Sequence, residues 1–264
     1  MRFALILAAA AAAVMAVPVA TEAQAQAMPR PARSAVSMAM PEYQADAALR
    51  AAIESAARPA ADRARDEFRH PEEALTFWGL SPAMTVVEVQ PGSGGWWTAI
   101  LRPYAQATGG RYVAADDLAA LQAVEPGSAN MVLIARAFHN WARTPGRTDA
   151  VLAAAYRALK PGGVLAVEQH RAAEGRNVAD TAPTGYVPES YIIQSAQRAG
   201  FVLDARSELN ANPKDDRDHA FGVWTLPPVR RDSQDGRTLS AAERAAYDAI
   251  GESDRMTLRL RKPS

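Results

Sequence analysis

The clearest chemistry in this sequence lies in Thr85-Val86-Val87-Glu88-Val89-Gln90-Pro91-Gly92-Ser93-Gly94-Gly95-Trp96-Trp97. An apolar run ends in a carboxylate, passes through glycines and enters a segment that can be helical through Tyr104. Glycines let the backbone approach a bound molecule closely, and the free N–H groups of a helix start would face it. Strand, glycine loop and helix in that order open a nucleotide-binding unit. The loop is not a dinucleotide fingerprint, since its third glycine would fall at Trp97, and no phosphate loop ending in Gly-Lys-Ser/Thr occurs. Ser93 sits at a strand-to-helix turn, as a hydrolase nucleophile does, but Pro91 replaces the first glycine of Gly-x-Ser-x-Gly. Two histidines could move protons. His139 lies in Phe138-His139-Asn140-Trp141, and His170 follows Glu168-Gln169. Either imidazole could act as a general base on a substrate proton. The histidines are spaced too irregularly for a metal motif, which predicts no bound metal.

These residues need a scaffold, and the rhythm of the chain supplies one. From Thr85 onward, strand-like and helix-like segments alternate. Strands are expected at Thr85 to Val89, Arg111 to Ala115, Met131 to Ala135, Val164 to Glu168 and Phe201 to Ser207. Helices are expected at Trp96 to Tyr104, Thr148 to Leu159 and Pro188 to Ala199, and Lys160-Pro161-Gly162-Gly163 reads as a tight turn. Such alternation argues for a three-layer α/β fold with a mainly parallel sheet. Gly222 to Leu226 and Met256 to Arg261 are β-rich and fit antiparallel additions at the sheet edge. Ser240 with Glu243 three residues on is a capping box opening a helix to Ile250. Ligands in open α/β sheets gather outside the carboxyl ends of the strands, where both histidines would lie. Before Thr85, helix-permissive stretches over Glu42 to Ala57, Asp62 to Arg69 and Glu72 to Trp78 form an N-terminal helical extension.

Composition narrows the function classes. At 264 residues and 48% hydrophobic the chain can bury one sizeable core. Its 29 basic and 29 acidic residues cancel, which argues against a nucleic-acid partner. Arg2, the apolar run Phe3 to Val17 and Ala23-Gln24-Ala25-Gln26-Ala27 read as a secretory signal peptide over residues 1–27, too short for a membrane span. The expected destination is therefore periplasmic or secreted. Residues 28–58 read as a mobile leader and N-terminal helix, and 59–264 as the folded domain. The absence of cysteine excludes disulfides, thiolate nucleophiles and cysteine-ligated metals.

Several stretches resemble class I S-adenosylmethionine-dependent methyltransferases. Val86-Val87-Glu88 leading into Gly92-Ser93-Gly94 resembles their first motif. Ala158-Leu159-Lys160-Pro161-Gly162-Gly163-Val164-Leu165 and Ala199-Gly200-Phe201 look like their later helix–strand junctions. Arg65-Asp66-Glu67-Phe68-Arg69-His70-Pro71, Gly185-Tyr186-Val187, Asn210-Ala211-Asn212-Pro213-Lys214-Asp215 and Gly251-Glu252-Ser253-Asp254-Arg255-Met256 are similar to an exported bacterial methyltransferase family. The resemblance implies a Rossmann-like methyltransferase domain, S-adenosyl-L-methionine as cofactor and a small-molecule acceptor. Glu88, Gly92 and Gly94 would border the amino acid portion of the cofactor, and Asp116 would accept hydrogen bonds from its ribose. His139 or His170 would be the catalytic base. Two positions depart from the family pattern. Gln90 stands where the motif has its first glycine, and Leu118 to Asn130 is too short for the usual helix and third strand. Together with export away from the cytoplasm, where the cofactor is made, this leaves an alternative: a non-catalytic periplasmic binding protein on a degenerate methyltransferase scaffold.

Overall fold

Successive side chains of a strand point to opposite faces, yet Val86, Val87, Glu88 and Val89 are all buried. A strand buried on both faces needs a layer of helices on each side. The computed structural model, which describes residues 46–264, shows that arrangement. The expected signal segment and the leader up to residue 45 lie outside the described residues.

Helices α1 (Ala47–Glu54), α2 (Ala60–Arg63), α3 (Asp66–Arg69) and α4 (Pro71–Trp78) precede β1 (Thr85–Val89). The chain continues through α5 (Thr98–Ala107), β2 (Arg111–Ala115), α6 (Leu118–Ala123), β3 (Ala129–Ala135), α7 (Phe138–Trp141) and α8 (Arg147–Ala158). Then follow β4 (Leu159–Ala172), α9 (Val178–Thr181), β5 (Val187–Pro188), α10 (Glu189–Arg198) and β6 (Val202–Ser207). The remainder holds β7 (Ala220–Val223), the small hairpin β8 (Ser233–Gln234) and β9 (Arg237–Thr238), α11 (Ala241–Ile250) and β10 (Arg255–Arg261).

The main sheet runs β2-β1-β3-β4-β10-β6, with β5 paired to the end of β4. β2, β1, β3 and β4 are mutually parallel, and β10 is antiparallel to both β4 and β6. This is a three-layer, Rossmann-like α/β fold with its antiparallel strand on one side of the sheet. Met256 to Arg261 is thus a strand as expected, but β6 lies outside it at the rim. Gly222 to Leu226 does not extend the sheet: only Ala220–Val223 is extended, and it pairs with none of the sheet's strands. The Lys160-to-Gly163 turn is retained as an irregularity within β4. Ala129 pairs with Leu159 but Met131 with Val164, so the intervening residues leave the register.

Alternation sorts the core into two clusters. Val87, Val89, Val132, Ile134, Leu165 and Val167 face one side, under α7, α8 and α10. Val86, Met131, Leu133 and Ala166 face the other, under α1, α4 and α5, with Leu49 of α1 and Trp78 of α4 in the same cluster. Pro71 opens α4 and Gly79, at φ 81°, closes it as the sequence suggests. Asp62 to Arg69 is two short helical turns in place of one helix. Ser240 and Glu243 form the full capping box. At the entry to β2, a Cβ on Gly110 would lie 2.5 Å from the Met84 carbonyl oxygen, which accepts from Arg111 N–H. Only glycine allows that approach.

Leu118 to Asn130 forms α6 and the start of β3, with no further strand. β2 is therefore the outermost strand on its side. A cavity of about 260 Å³ lies against its free rim, lined by Arg102, Gln106 and Tyr112 among others.

Candidate functional site

The β1–β2 register sets Val89 opposite Ala115, and Gln90 N–H donates to the Ala115 carbonyl at 2.8 Å. The glycine turn and Asp116 therefore leave the sheet side by side. Gln90 occupies the left-handed region at φ 51°, and Gly92 follows at φ 72°. Where the family motif has glycine, the chain keeps a glycine-like turn with a residue that carries a Cβ. That conformation costs an L-residue about 1 kcal/mol. Gln90→Gly is expected to raise stability by up to ~1 kcal/mol, less the added freedom of glycine in the unfolded chain. A urea titration of both proteins checks this, and a destabilised variant would mean that the glutamine side chain holds the turn.

Gly92, Ser93, Gly94 and Asp116 are exposed, and a Cβ at Gly92 or Gly94 would meet nothing within 4 Å. Space for a ligand against the loop backbone is thus present, with an open carboxylate beside it. Asp117 turns away to cap α6, accepting from Ala120 N–H at 2.7 Å. Glu88 is placed differently. It is buried beneath the loop, and its Oε2 accepts from Thr98 Oγ1 at 2.8 Å and Tyr112 OH at 2.7 Å. Burial raises its pKa against the pull of those hydroxyls and of Arg136 and Arg102. In this structure its hydrogen bonding supports α5 and β2.

Both tryptophans that follow the glycines are packed into the core. Trp97 is buried and its indole donates to Glu168 Oε2 at 3.3 Å. Trp96 is also buried, donates to the Asp62 carbonyl at 3.0 Å, and has the Arg58 and Arg69 guanidiniums 5.2 and 4.8 Å from its ring centroid. The N-terminal helices thus dock on the start of α5 and leave the glycines bare. Ser93 has no histidine hydrogen-bonded to it, so the hydrolase pairing is not formed.

The two histidines do meet. β3 and β4 are neighbours with Ala135 opposite Glu168, and the His139 and His170 rings lie 5.9 Å apart. His139 is buried. Burial, helped by the Arg143 charge, lowers its pKa to about 4 against the hydrogen bond from Gln169. The Gln169 amide has a determined orientation: Oε1 accepts from Phe138 N–H, and Nε2 donates to the Gly185 carbonyl. Its Nε2, 3.3 Å from His139 Nδ1, is a donor only, so Nδ1 accepts and the proton of neutral His139 sits on Nε2. His170 is half-buried, with Nδ1 2.6 Å from Ser253 Oγ. Its pKa is pushed well below the ordinary value by burial, reinforced by His139, Arg255 and Arg136.

Between the glycine turn and the histidines lies a buried ion network that sequence reading did not find. Glu168 contacts Arg255 at 3.2 Å and Arg136 at 3.4 Å. Glu252 contacts Arg255, Arg65 and Arg69 at 2.6, 2.7 and 3.1 Å. These bonds tie α3 and the last strand to the ligand-side edge of the sheet. Arg136 holds a left-handed backbone at φ 56°, and burial lowers its pKa while Glu168 opposes the shift. Asp254 pairs with Arg171 and Arg217, and Arg255 with the two glutamates. Asn210 and Asp215 are buried. Asp215 accepts from Tyr186 OH at 3.1 Å and from Asp254 N–H at 2.7 Å. The sequence signal for all this was the density of charged and amide residues in 210–217 and 251–255.

A scan against protein-family models finds no match, and neither does a search of curated proteins. Solved structures with a similar course include a SAM-dependent methyltransferase from Aquifex aeolicus, at 14% identity and TM-score 0.45, covering 76% of this chain and 94% of that one. Human N-acetylserotonin methyltransferase in complex with SAM is similar at 13% identity and TM-score 0.45, covering 78% of this chain and 54% of that one. The cyclase SpnF is similar at 18% identity and TM-score 0.47, covering 77% of this chain and 82% of that one. At such identities and scores these likenesses carry no argument about activity, and one of them is named for a different chemistry.

Proposed function

We propose that this chain is an exported S-adenosylmethionine-dependent methyltransferase acting on a small molecule. The supporting observation is the pairing of an open, left-handed glycine turn after β1 with the exposed Asp116 carboxylate at the end of β2. The backbone at Gly92 and Gly94 would receive the cofactor beside the loop, and Asp116 would accept from two adjacent ribose hydroxyls. Glu88 would act from beneath by holding Thr98 and Tyr112. When bound, the cofactor supplies a methyl group on a sulfonium. The protein must then align an acceptor and remove its proton.

Of the two histidines, His170 is the better base. The lone pair of neutral His139 is engaged by Gln169, and its other nitrogen carries the proton. His170 is free to place a proton on Nδ1, donating to Ser253 Oγ, which leaves Nε2 as the acceptor. Burial keeps both imidazoles neutral near pH 7, so His170 is available to accept.

The rim position of β2 favours the second reading, a non-catalytic binding protein on this scaffold, because among the described residues no third strand stands where the adenine wall is expected. Calorimetric titration with S-adenosylmethionine and S-adenosylhomocysteine decides between them. We expect binding by the wild type and at least ~10-fold weaker binding by Asp116→Ala, from the loss of charge-assisted hydrogen bonds. No heat and no thermal shift at millimolar ligand would leave the binding-protein reading.

A further inference from the structure

Beside the candidate acceptor site, Tyr186 links His170 to a second cluster, with its ring 6.2 Å from both His170 and His219. Asp215, Asp216 and His219 each bring a ligand-type atom within 4.8 Å of the others. Their roles are unequal. Asp215 Oδ1 accepts from Arg217 N–H at 2.9 Å and lies 2.8 Å from His219 Nε2. Its Oδ2 accepts from Asp254 N–H at 2.7 Å, and Tyr186 OH lies 3.2 and 3.1 Å from the two oxygens. Its acceptor capacity is used. A carboxylate only accepts, so the contact to His219 puts a proton on Nε2, and in the neutral imidazole Nδ1 then carries the lone pair.

His219 Nδ1 has no hydrogen-bond partner although the side chain is 1% exposed. It faces the Asp216 carboxylate, whose Oδ1 is 3.5 Å away. The separation exceeds an N–H···O hydrogen bond. With the ring neutral, two electron pairs face one another across it and repel unless a positive charge, a proton or a metal ion, lies between. Two ligands each ~2.0–2.1 Å from a tetrahedral zinc ion stand about 3.4 Å apart. A metal-binding histidine also commonly donates its other N–H to a carboxylate, which fixes the ring and makes it more basic. Asp215 does that here.

We propose that His219 Nδ1 and Asp216 bind a divalent zinc ion, with Asp215 as the orienting partner and solvent or substrate completing the tetrahedron. The sequence expectation of no metal considered histidine spacing alone, and this site uses one histidine. It is independent of the methyltransferase reading.

The test is calorimetric titration of the full, untagged chain with zinc sulfate after chelator treatment. We expect one equivalent bound, with affinity at least ~10-fold weaker in Asp216→Asn, which removes a ligand charge from an exposed side chain. The thermal midpoint without metal should match between the two proteins, and zinc should raise it in the wild type more than in the variant. Failure to bind one equivalent at up to millimolar zinc would overturn the proposal. So would equal affinity in Asp216→Asn, which would place the ion elsewhere.

Discussion

Glu252→Ala is expected to destabilise the protein by about 3–5 kcal/mol, the cost of leaving buried charge without its partner. Glu252 is the common counterion of Arg65, Arg69 and Arg255, and both Arg69 and Arg255 are almost fully buried. Removing the carboxylate strands guanidiniums that cannot turn to water without opening the contact between α3 and the edge of the sheet. Glu168 also contacts Arg255 and does not reach Arg65 or Arg69. The loss is a large share of a typical folding free energy of ~5–15 kcal/mol. Glu252→Gln should fall between, since an amide still accepts hydrogen bonds but carries no charge. Urea unfolding of the three proteins measures it. A cost below ~1 kcal/mol, as for exposed pairs, would show that the network is solvated and does not hold α3 in place.

The second large effect is acid sensitivity through His139. Unfolded, this histidine takes up a proton below about pH 6.5. Folded, it does so only below about 4, because burial and Arg143 disfavour the charge. Between those values the unfolded chain holds more protons, so stability falls as pH falls through that window. A shift of this size corresponds to about 3 kcal/mol, complete by roughly pH 4. His170, lowered for the same cause, adds in the same direction. Glu88 and Glu189 work oppositely. Burial raises their folded pKa values, so protonating them favours the native state as pH falls toward the ordinary carboxylate range. The steepest loss is therefore expected in the upper part of the window, before the carboxylates respond. His139→Gln should flatten the dependence of unfolding free energy between about pH 6.5 and pH 4.5. An unchanged slope in the variant would mean that His139 titrates normally in the folded protein.

Both effects come from pairings made across the fold, and they mark where sequence reading stopped. Sequence alone determined the strand–helix rhythm from Thr85, the glycine turn, the start and stop of α4, the capping box of α11 and the shortness of the β2–β3 crossover. These are local facts. They follow from side-chain periodicity, from the φ angles that proline and glycine permit, and from the number of residues needed to cross a sheet. Sequence also placed His139 and His170 at one edge of the sheet, because strands β3 and β4 end just before and around them.

Tertiary structure decided the rest. That Gln90 keeps a glycine-like turn depends on its N–H bonding to Ala115 in the neighbouring strand. That Glu88 lies beneath the loop depends on which face of β1 meets α5. Periodicity shows that faces alternate but does not say which one receives Thr98 and Tyr112. The choice between His139 and His170 depends on hydrogen-bond partners, Gln169 with Gly185 and Ser253 with the end of the chain. The ion network brings together residues far apart in sequence, Arg65 and Arg69 with Glu252. Charge can be counted along a chain, but only the folded backbone determines which charges share a dry interior and must pair there.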